Sequence, residues 1–141
     1  MSDLVTTDDL FFARAGLERS RVEGIVDDAL NGADDGELFL EYRQSESVVI
    51  DDGKIKSAAF DTAQGFGLRA VADEATGYAH ASELSEAALR RASDAVKAVH
   101  AGGTGAMAVD PSGTNVSLYA DDNPLGLVPF EDKVDLLTEM D

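Results

Sequence analysis

The side chains that can perform acid–base or metal chemistry are two histidines and a set of adjacent aspartates. His80 lies on a predicted strand and His100 at a predicted helix C-terminus, and no His-Glu-x-x-His run occurs, so no zinc-hydrolase site can be assembled. Paired carboxylates catalyse acid–base steps when a pocket separates their pKa values, whereas pairs on turns and helix starts are usually solvated. A hydrolase that uses an acid pair therefore stays one hypothesis, and a solvated surface is the other. The aspartate pairs are Asp8–Asp9, Asp27–Asp28, Asp34–Asp35, Asp51–Asp52 and Asp121–Asp122.

Two glycine-rich segments resemble nucleotide-binding loops only in part. Gly65-Phe66-Gly67 lacks the third glycine of a dinucleotide fingerprint and lies within a strand pattern instead of opening a helix. The run from Gly102 to Gly105 lacks the Gly-Lys-Ser/Thr of a phosphate-binding loop, so we interpret it as a helix stop and linker. Neither segment predicts a nucleotide site.

One strand face is the candidate contact surface. Gly65, Gly67 and Arg69 alternate with apolar residues, so they share the face opposite the predicted core. Two glycines on a strand face permit close approach by another backbone or side chain. Arg69 can clamp a carboxylate or a partner's carbonyls, or it can form a salt bridge with Asp61, Asp73 or a helix acid. We predict that these three residues contact substrate or a partner, and we predict no catalytic and no metal-binding residue.

The charge balance limits the partners of the chain. Its 28 acids and 11 bases give a net charge of −17, which repels nucleic-acid phosphates. An ordinary acidic surface, a salt-adapted hydrated shell and a DNA mimic remain alternatives, and a mimic needs acids in ranks at phosphate-like spacing. The chain has no cysteine, which removes disulfides and thiolate sites and fits a reducing compartment. No run is long and apolar enough for a membrane span and no signal peptide is recognisable, so we expect no membrane contact and a cytoplasmic location.

Periodicity predicts an α+β fold with an antiparallel β-meander of about four strands flanked by helices. A short helix near Leu10 ends at Gly16, and a second helix is capped by Ser20 with Glu23 in a capping box. A long helix begins at Ser82 or Ser85. The apolar stripe of the second helix is Val22, Ile25, Val26, Ala29 and Leu30, and that of the long helix is Leu84, Ala88, Leu89, Ala92, Ala95, Val96 and Val99.

The period-two segments predict the strands of the meander. Alternation predicts strands at 38–50, 55–60, 61–71 and 78–81, with a hairpin turn at Asp51–Lys54, where Gly53 supplies the positive φ, and a second turn at Asp73–Gly77. We assign residues 1–110 to one α+β domain and residues 111–141 to a linker with the start of a further helix near Phe130. A short strand is predicted near 116–119, and the last helix has no stop signal before Asp141.

Several segments in a fixed order carry a family resemblance. The first four are Glu37–Tyr42, Asp51–Ser57, Gln64–Val71 and Thr76–Ser85, and the tail adds Leu118–Tyr119, Asp122–Leu125 and Glu131–Leu137. Together they resemble the N-terminal domain of the TldD/PmbA family of metallopeptidases, and the tail is similar to the TldD branch. None of these segments is a catalytic signature.

The resemblance implies a parent enzyme with a His-Glu-x-x-x-His zinc motif on a helix of a later domain, where the glutamate acts as general base. It also implies a PmbA/TldE-like partner subunit, with which the parent degrades or matures small or unfolded peptides; older naming calls the family modulators of DNA gyrase. Residues 1–141 lack the zinc motif, so the expectation for this chain is a non-catalytic domain without a cofactor that shapes the cavity or the partner interface. The alternative is a free-standing acidic module that modulates gyrase as a DNA mimic.

Overall fold

The computed structural model of the chain describes residues 7–100 and 123–141. Within these ranges the fold is α+β, as predicted, with an antiparallel sheet and helices. The elements are a π-helical turn at Asp9–Ala13, α1 at Arg19–Leu30, β1 at Asp35–Asp51, β2 at Lys54–Ala72, β3 at Ala75–Ala81, α2 at Glu86–His100, a 3-10 turn at Pro124–Gly126 and α3 at Phe130–Met140.

The sheet has three described strands in the order β1-β2-β3, whereas the sequence predicted about four. The predicted strands at 55–60 and 61–71 are parts of one long strand, β2. Where they meet, residues 61–64 contain neither glycine nor proline and no residue with positive φ, so nothing turns the chain there. β3 pairs antiparallel with the second half of β2, from Phe66 opposite Ala81 to Ala72 opposite Ala75.

Aspartates and a glycine make the two tight turns of the sheet. Asp52 and Gly53 join β1 to β2 with φ of 53° and 66°, which confirms the predicted hairpin. Asp73 begins the turn into β3, also with φ of 53°. Aspartate tolerates this left-handed conformation because its short side chain can hydrogen-bond locally.

Helix α1 lies as its apolar stripe predicted, but it begins earlier than its cap predicted. Val22, Ile25 and Ala29 are buried. The N-cap is Glu18, whose carbonyl accepts from the amide of Val22, so Ser20 lies inside the first turn. The Ser20 hydroxyl donates to the Glu18 carboxylate instead of capping the helix.

Of the two serines predicted to begin the long helix, Ser82 and Ser85, the second begins α2. The Ser85 hydroxyl accepts from the amide of Ala88 and caps the helix. Its buried stripe is narrower than predicted, because Ala95 and Val99 are exposed while Ser93 is buried. β3 packs close on this helix at Gly77, where a Cβ would lie 3.0 Å from the carbonyl oxygen of Val96.

The chain forms two compact units, to which β1 and β2 each contribute residues. The core unit comprises described residues 7–42 and 64–100, and the arm unit comprises 43–63 and 123–141. The hydrophobic core lies in the core unit, where β2 packs against α1 and α2. Its fully buried large side chains are Leu68, Leu89 and Val96.

In the arm unit, polar contacts tie the C-terminal segment to the first strand of the hairpin. The ammonium of Lys133 on α3 donates to Glu46 at 2.8 Å and to the carbonyl of Leu125 at 3.0 Å. Asn123 donates to the side chain of Gln44 at 3.1 Å. The last helix begins at Phe130, near the predicted start. It contacts the hairpin through the partly buried ion pair of Lys133 with Glu46.

Some predictions lie outside the described residues: the domain boundary after residue 110, the linker that begins at 111, the glycine stop at 102–105 and the strand near 116–119. Among the described helices, none has the length and hydropathy that a membrane crossing requires.

Truncation of the core should destabilise the fold strongly. Leu89→Ala removes a fully buried side chain from α2, and we expect the free energy of unfolding to fall by about 2–5 kcal/mol because a cavity remains. Urea denaturation followed by circular dichroism measures the change. Val99→Ala on the same helix is the matched control, since that side chain is half exposed; an equal loss for both variants would contradict this packing.

Candidate contact face

The three predicted contact residues share the face of the sheet that is turned away from the helices. Phe66, Leu68 and Ala70 of β2 are buried in the core, so the alternating residues Gly65, Gly67 and Arg69 point away from the helices. Across the antiparallel register, Gly67 lies opposite His80 and Arg69 opposite Tyr78. We call this surface, formed by residues 35, 37 and 39 of β1, 65, 67 and 69 of β2 and 78 and 80 of β3, the open face.

The two glycines of the open face admit close approach in different ways. A Cβ on Gly65 would lie 2.7 Å from the carbonyl oxygen of Ala81, so backbone occupies the space that a side chain needs. A Cβ on Gly67 would lie 2.8 Å from the Tyr78 hydroxyl oxygen and 3.1 Å from its Cε2. The ring of Tyr78 therefore lies over Gly67, and the glycine forms the floor beneath an aromatic side chain.

Arg69 is held by two acids of the neighbouring strand. Its Nε donates to Glu37 at 3.0 Å and its Nη2 to Asp35 at 3.1 Å. These hydrogen bonds, with Glu37 first and Asp35 second, raise the pKa of Arg69 above its usual value. The predicted partners Asp61, Asp73 and the helix acids are wrong, because alternate residues of β1 reach Arg69 across the sheet.

Aromatic side chains that were not predicted from the sequence add to the open face. Tyr78 and His80 of β3 stack with ring centroids 5.7 Å apart. Phe39, two residues after Glu37 on the same side of β1, is 60% exposed, and Tyr78 is 63% exposed. In the sequence, these aromatic residues alternate with the core positions in the same period-two pattern as the acids and the glycines, and that pattern could have indicated that they share this face. The open face thus combines exposed aromatic rings with an arginine whose charge is paired with two carboxylates.

A groove between α1 and α2 is a second feature of the described residues that could bind a ligand. Its volume is about 420 Å³, and its lining consists of Arg21, Gly24, Ile25, Asp28, Arg90, Ser93 and Asp94.

The charges around this groove are already paired. Glu86 accepts from Arg21 at 3.4 Å and from Arg90 at 2.7 Å. Asp28 pairs with Lys97. Among the described residues, the Ser93 hydroxyl is buried without a hydrogen-bond partner. The Arg21–Glu86 and Asp28–Lys97 ion pairs therefore link α1 to α2 beside the groove. Among the residues that line the groove, no nucleophile is paired with a base.

Metal ligands are not clustered in the described ranges 7–100 and 123–141. No group of three or more His, Asp or Glu side chains there can hold a metal ion. His80, the histidine whose side chain is described, stacks on Tyr78. These residues do not fit a zinc ion, so no hydrolytic step is assigned to them.

Comparison with known proteins identifies the class to which this domain belongs. Residues 36–99, from the start of β1 to the end of α2, match the sequence model of PmbA/TldA metallopeptidase domain 1. The chain belongs to the TldD/PmbA family.

Individual relatives agree with the family match. The chain is 37% identical over 112 residues to a protein named "Metalloprotease TldD homolog" from Haemophilus influenzae, an alignment that covers 77% of this chain and 23% of that protein. It is 30% identical over 105 residues to the protein of the same name from Buchnera aphidicola of Acyrthosiphon pisum, with 74% and 22% covered. The chain thus spans about a quarter of the length of these relatives.

The two glycines should differ in their tolerance of a methyl group. Gly65→Ala forces backbone apart, so we expect a loss of about 1–3 kcal/mol in the free energy of unfolding. Gly67→Ala meets only the exposed end of a tyrosine ring, which can rotate, so we expect a smaller loss and shifted NMR signals of Tyr78. Urea titration and ring-proton spectra test this order, and a larger loss for Gly67→Ala contradicts it.

The thermal stability of the fold should depend on pH in the acid range through Glu86, which pairs with Arg21 of α1 and Arg90 of α2. Hydrogen bonds from Arg90 first, and also from Arg21, lower the pKa of Glu86 in the folded chain. A carboxyl group whose pKa is lowered in the folded chain stabilises the fold above its ordinary pKa of 4.5, and this stabilisation is lost as the pH falls through the pKa of the folded state. We therefore expect Glu86→Gln to lower the melting temperature at pH 7 and to match the parent chain in acid.

The control for that experiment is Glu74→Gln, which removes the same charge from the exposed turn before β3. Thermal unfolding at pH 7 and at acid pH should show a pH-dependent difference for Glu86→Gln and a smaller one for Glu74→Gln. An effect of Glu86→Gln that stays constant down to acid pH would contradict the assigned ion pairs.

Proposed function

We propose that this chain is the non-catalytic first domain of a longer, TldD-like zinc metallopeptidase that processes small or unfolded peptides with a PmbA/TldE-like partner subunit. The observation that carries the proposal is the match of residues 36–99 to domain 1 of a metallopeptidase family. The relatives named as metalloproteases are about four times as long as the segment that aligns with this chain, which leaves room for a catalytic domain outside it.

The zinc of the proposed parent would be held by residues outside the described ranges. Zinc supplies a Lewis acid and an activated water in peptide hydrolysis, and it needs three protein ligands with an open fourth position. The described residues offer no such cluster, so the proposal gives this domain a role by contact and places the catalytic metal elsewhere in the parent.

The open face is the surface that we propose for this contact. Tyr78 and Phe39 present large exposed rings, which are enriched at the energetic centres of protein interfaces. Arg69 supports the surface through Asp35 and Glu37, because its guanidinium is engaged within the sheet. The partner subunit is the occupant that we propose for this face, beside the cavity in which peptides are cut.

The parent enzyme gives the sharpest test of this role. We expect the double change Phe39→Ala and Tyr78→Ala to weaken binding of the partner subunit by tenfold or more, about 1.4 kcal/mol at least, because both rings lie in the proposed contact. Zinc content and the unfolding curve of the domain should stay unchanged, since both rings are exposed. Sedimentation of the two subunits together measures the affinity.

Val99→Ala, a half-exposed residue of α2 away from the open face, is the control. Unchanged partner affinity in the double variant would overturn the assignment of this surface. Loss of zinc in the double variant would instead place metal-binding function in this domain and contradict its non-catalytic role.

The acidic-module alternative depends on the net charge of −17 alone. A DNA mimic that occupies a basic groove on gyrase must bind with a steep salt dependence. The family match supports the metallopeptidase role and adds nothing to the mimic.

A further inference from the structure

Within the part of the chain that the structure describes, one edge of β2 is covered along only half of its length. β3 pairs with β2 from Phe66 to Ala72, whereas β2 begins at Lys54. Among the described residues the sheet has three strands with β2 in the middle, so the β3-side edge of residues 54–64 has no neighbouring strand. Every residue from 54 to 64 is exposed. Such an edge presents unpaired amide and carbonyl groups to any strand that can lie beside it.

The charge of this free edge differs from that of the rest of the chain. Residues 54–64 contain Lys54, Lys56 and Asp61, two bases and one acid, in a chain of net charge −17. Two copies that meet through most other surfaces repel each other, because the remaining residues carry the whole acidic excess. The free edge is a segment where two copies can approach without that repulsion.

The part of the edge from Ser57 to Gln64 lacks the usual protection against pairing. Natural edge strands are blunted by proline, by bulges or by closely spaced charges. Between Ser57 and Gln64 the edge has no proline, and Asp61 is its single charged residue. Ile55 and Phe60 on this segment are half exposed or more, which leaves apolar area to bury.

We propose that the free edges of two copies of this chain pair antiparallel about a two-fold axis at Ala59. In an antiparallel pair a two-fold axis passes between two opposed residues, so a symmetric dimer places one residue opposite itself. Full overlap of residues 54–64 puts the midpoint of the segment, Ala59, on that axis. The result is one sheet that continues from the arm of one copy into the arm of the other.

This register sets compatible side chains opposite each other. Ala58 faces Phe60 of the second copy, which lets the ring lie over a small residue, and each such contact occurs twice. Ser57 faces Asp61 of the second copy, a hydroxyl beside a carboxylate. Lys54 and Lys56 face uncharged residues, so no like charges stand directly opposite. The inference is independent of the proposed peptidase role.

Cysteine cross-linking tests the pairing and its register together. The chain has no cysteine, so a single introduced thiol reports one position. We expect Ala59→Cys to form a disulfide-linked dimer under mild oxidation with diamide, because the two thiols oppose each other at the axis. The control Ser47→Cys, an exposed position on β1, should stay largely monomeric on non-reducing gels.

Sedimentation equilibrium of the 141-residue chain with charged variants gives a second measurement that does not depend on oxidation. Ala59→Lys places two ammonium groups opposite each other, so we expect the dimer to dissociate roughly fivefold more readily. Ala63→Lys adds the same charge opposite Ile55 of the second copy and should have a smaller effect. A parent chain that stays monomeric at high concentration, equal cross-linking at positions 47 and 59, or equal effects of the two lysines would each overturn the proposal.

Discussion

The close packing of β2 on the two long helices is the interaction on which the rest of the structure depends. Leu68 and Leu89 are fully buried where strand and helix meet, and small residues keep the layers near each other. Gly77 lets β3 approach the backbone of α2 at Val96. Because one face of the strand is committed to this core, the alternation of β-structure sends Gly65, Gly67 and Arg69 to the other face.

The sequence predicted features that depend on neighbours a few residues apart. The period of α1, the cap at Ser85 and the turn at Asp52-Gly53 were all found, since each is fixed by local geometry. The predicted cap of α1 was wrong because Glu18, two residues before Ser20, caps the helix, and the serine hydroxyl donates to the Glu18 carboxylate. The strand count was too high because the segments before and after Asp61 were interpreted as two strands, although nothing turns the chain between them.

Features that depend on strand pairing were not predictable in the same way. The sequence placed Arg69 on the correct face, but its acids came from β1, and their identity follows from pairing between strands separated by more than thirty residues. The ring of Tyr78 over Gly67 likewise needs the β2–β3 register. The burial of Ser93 and the exposure of Ala95 and Val99 depend on how α2 meets α1 and β3, which a helical period alone does not specify.

The proposed role of this chain is that of a contact domain within a longer metallopeptidase, and the coding sequence beyond codon 141 tests that proposal most directly. The account predicts that the reading frame continues into further domains that contain a helix with a His-Glu-x-x-x-His zinc motif. A stop codon immediately after Asp141 would contradict it, because the chain would then have no place for the catalytic metal of the proposed parent.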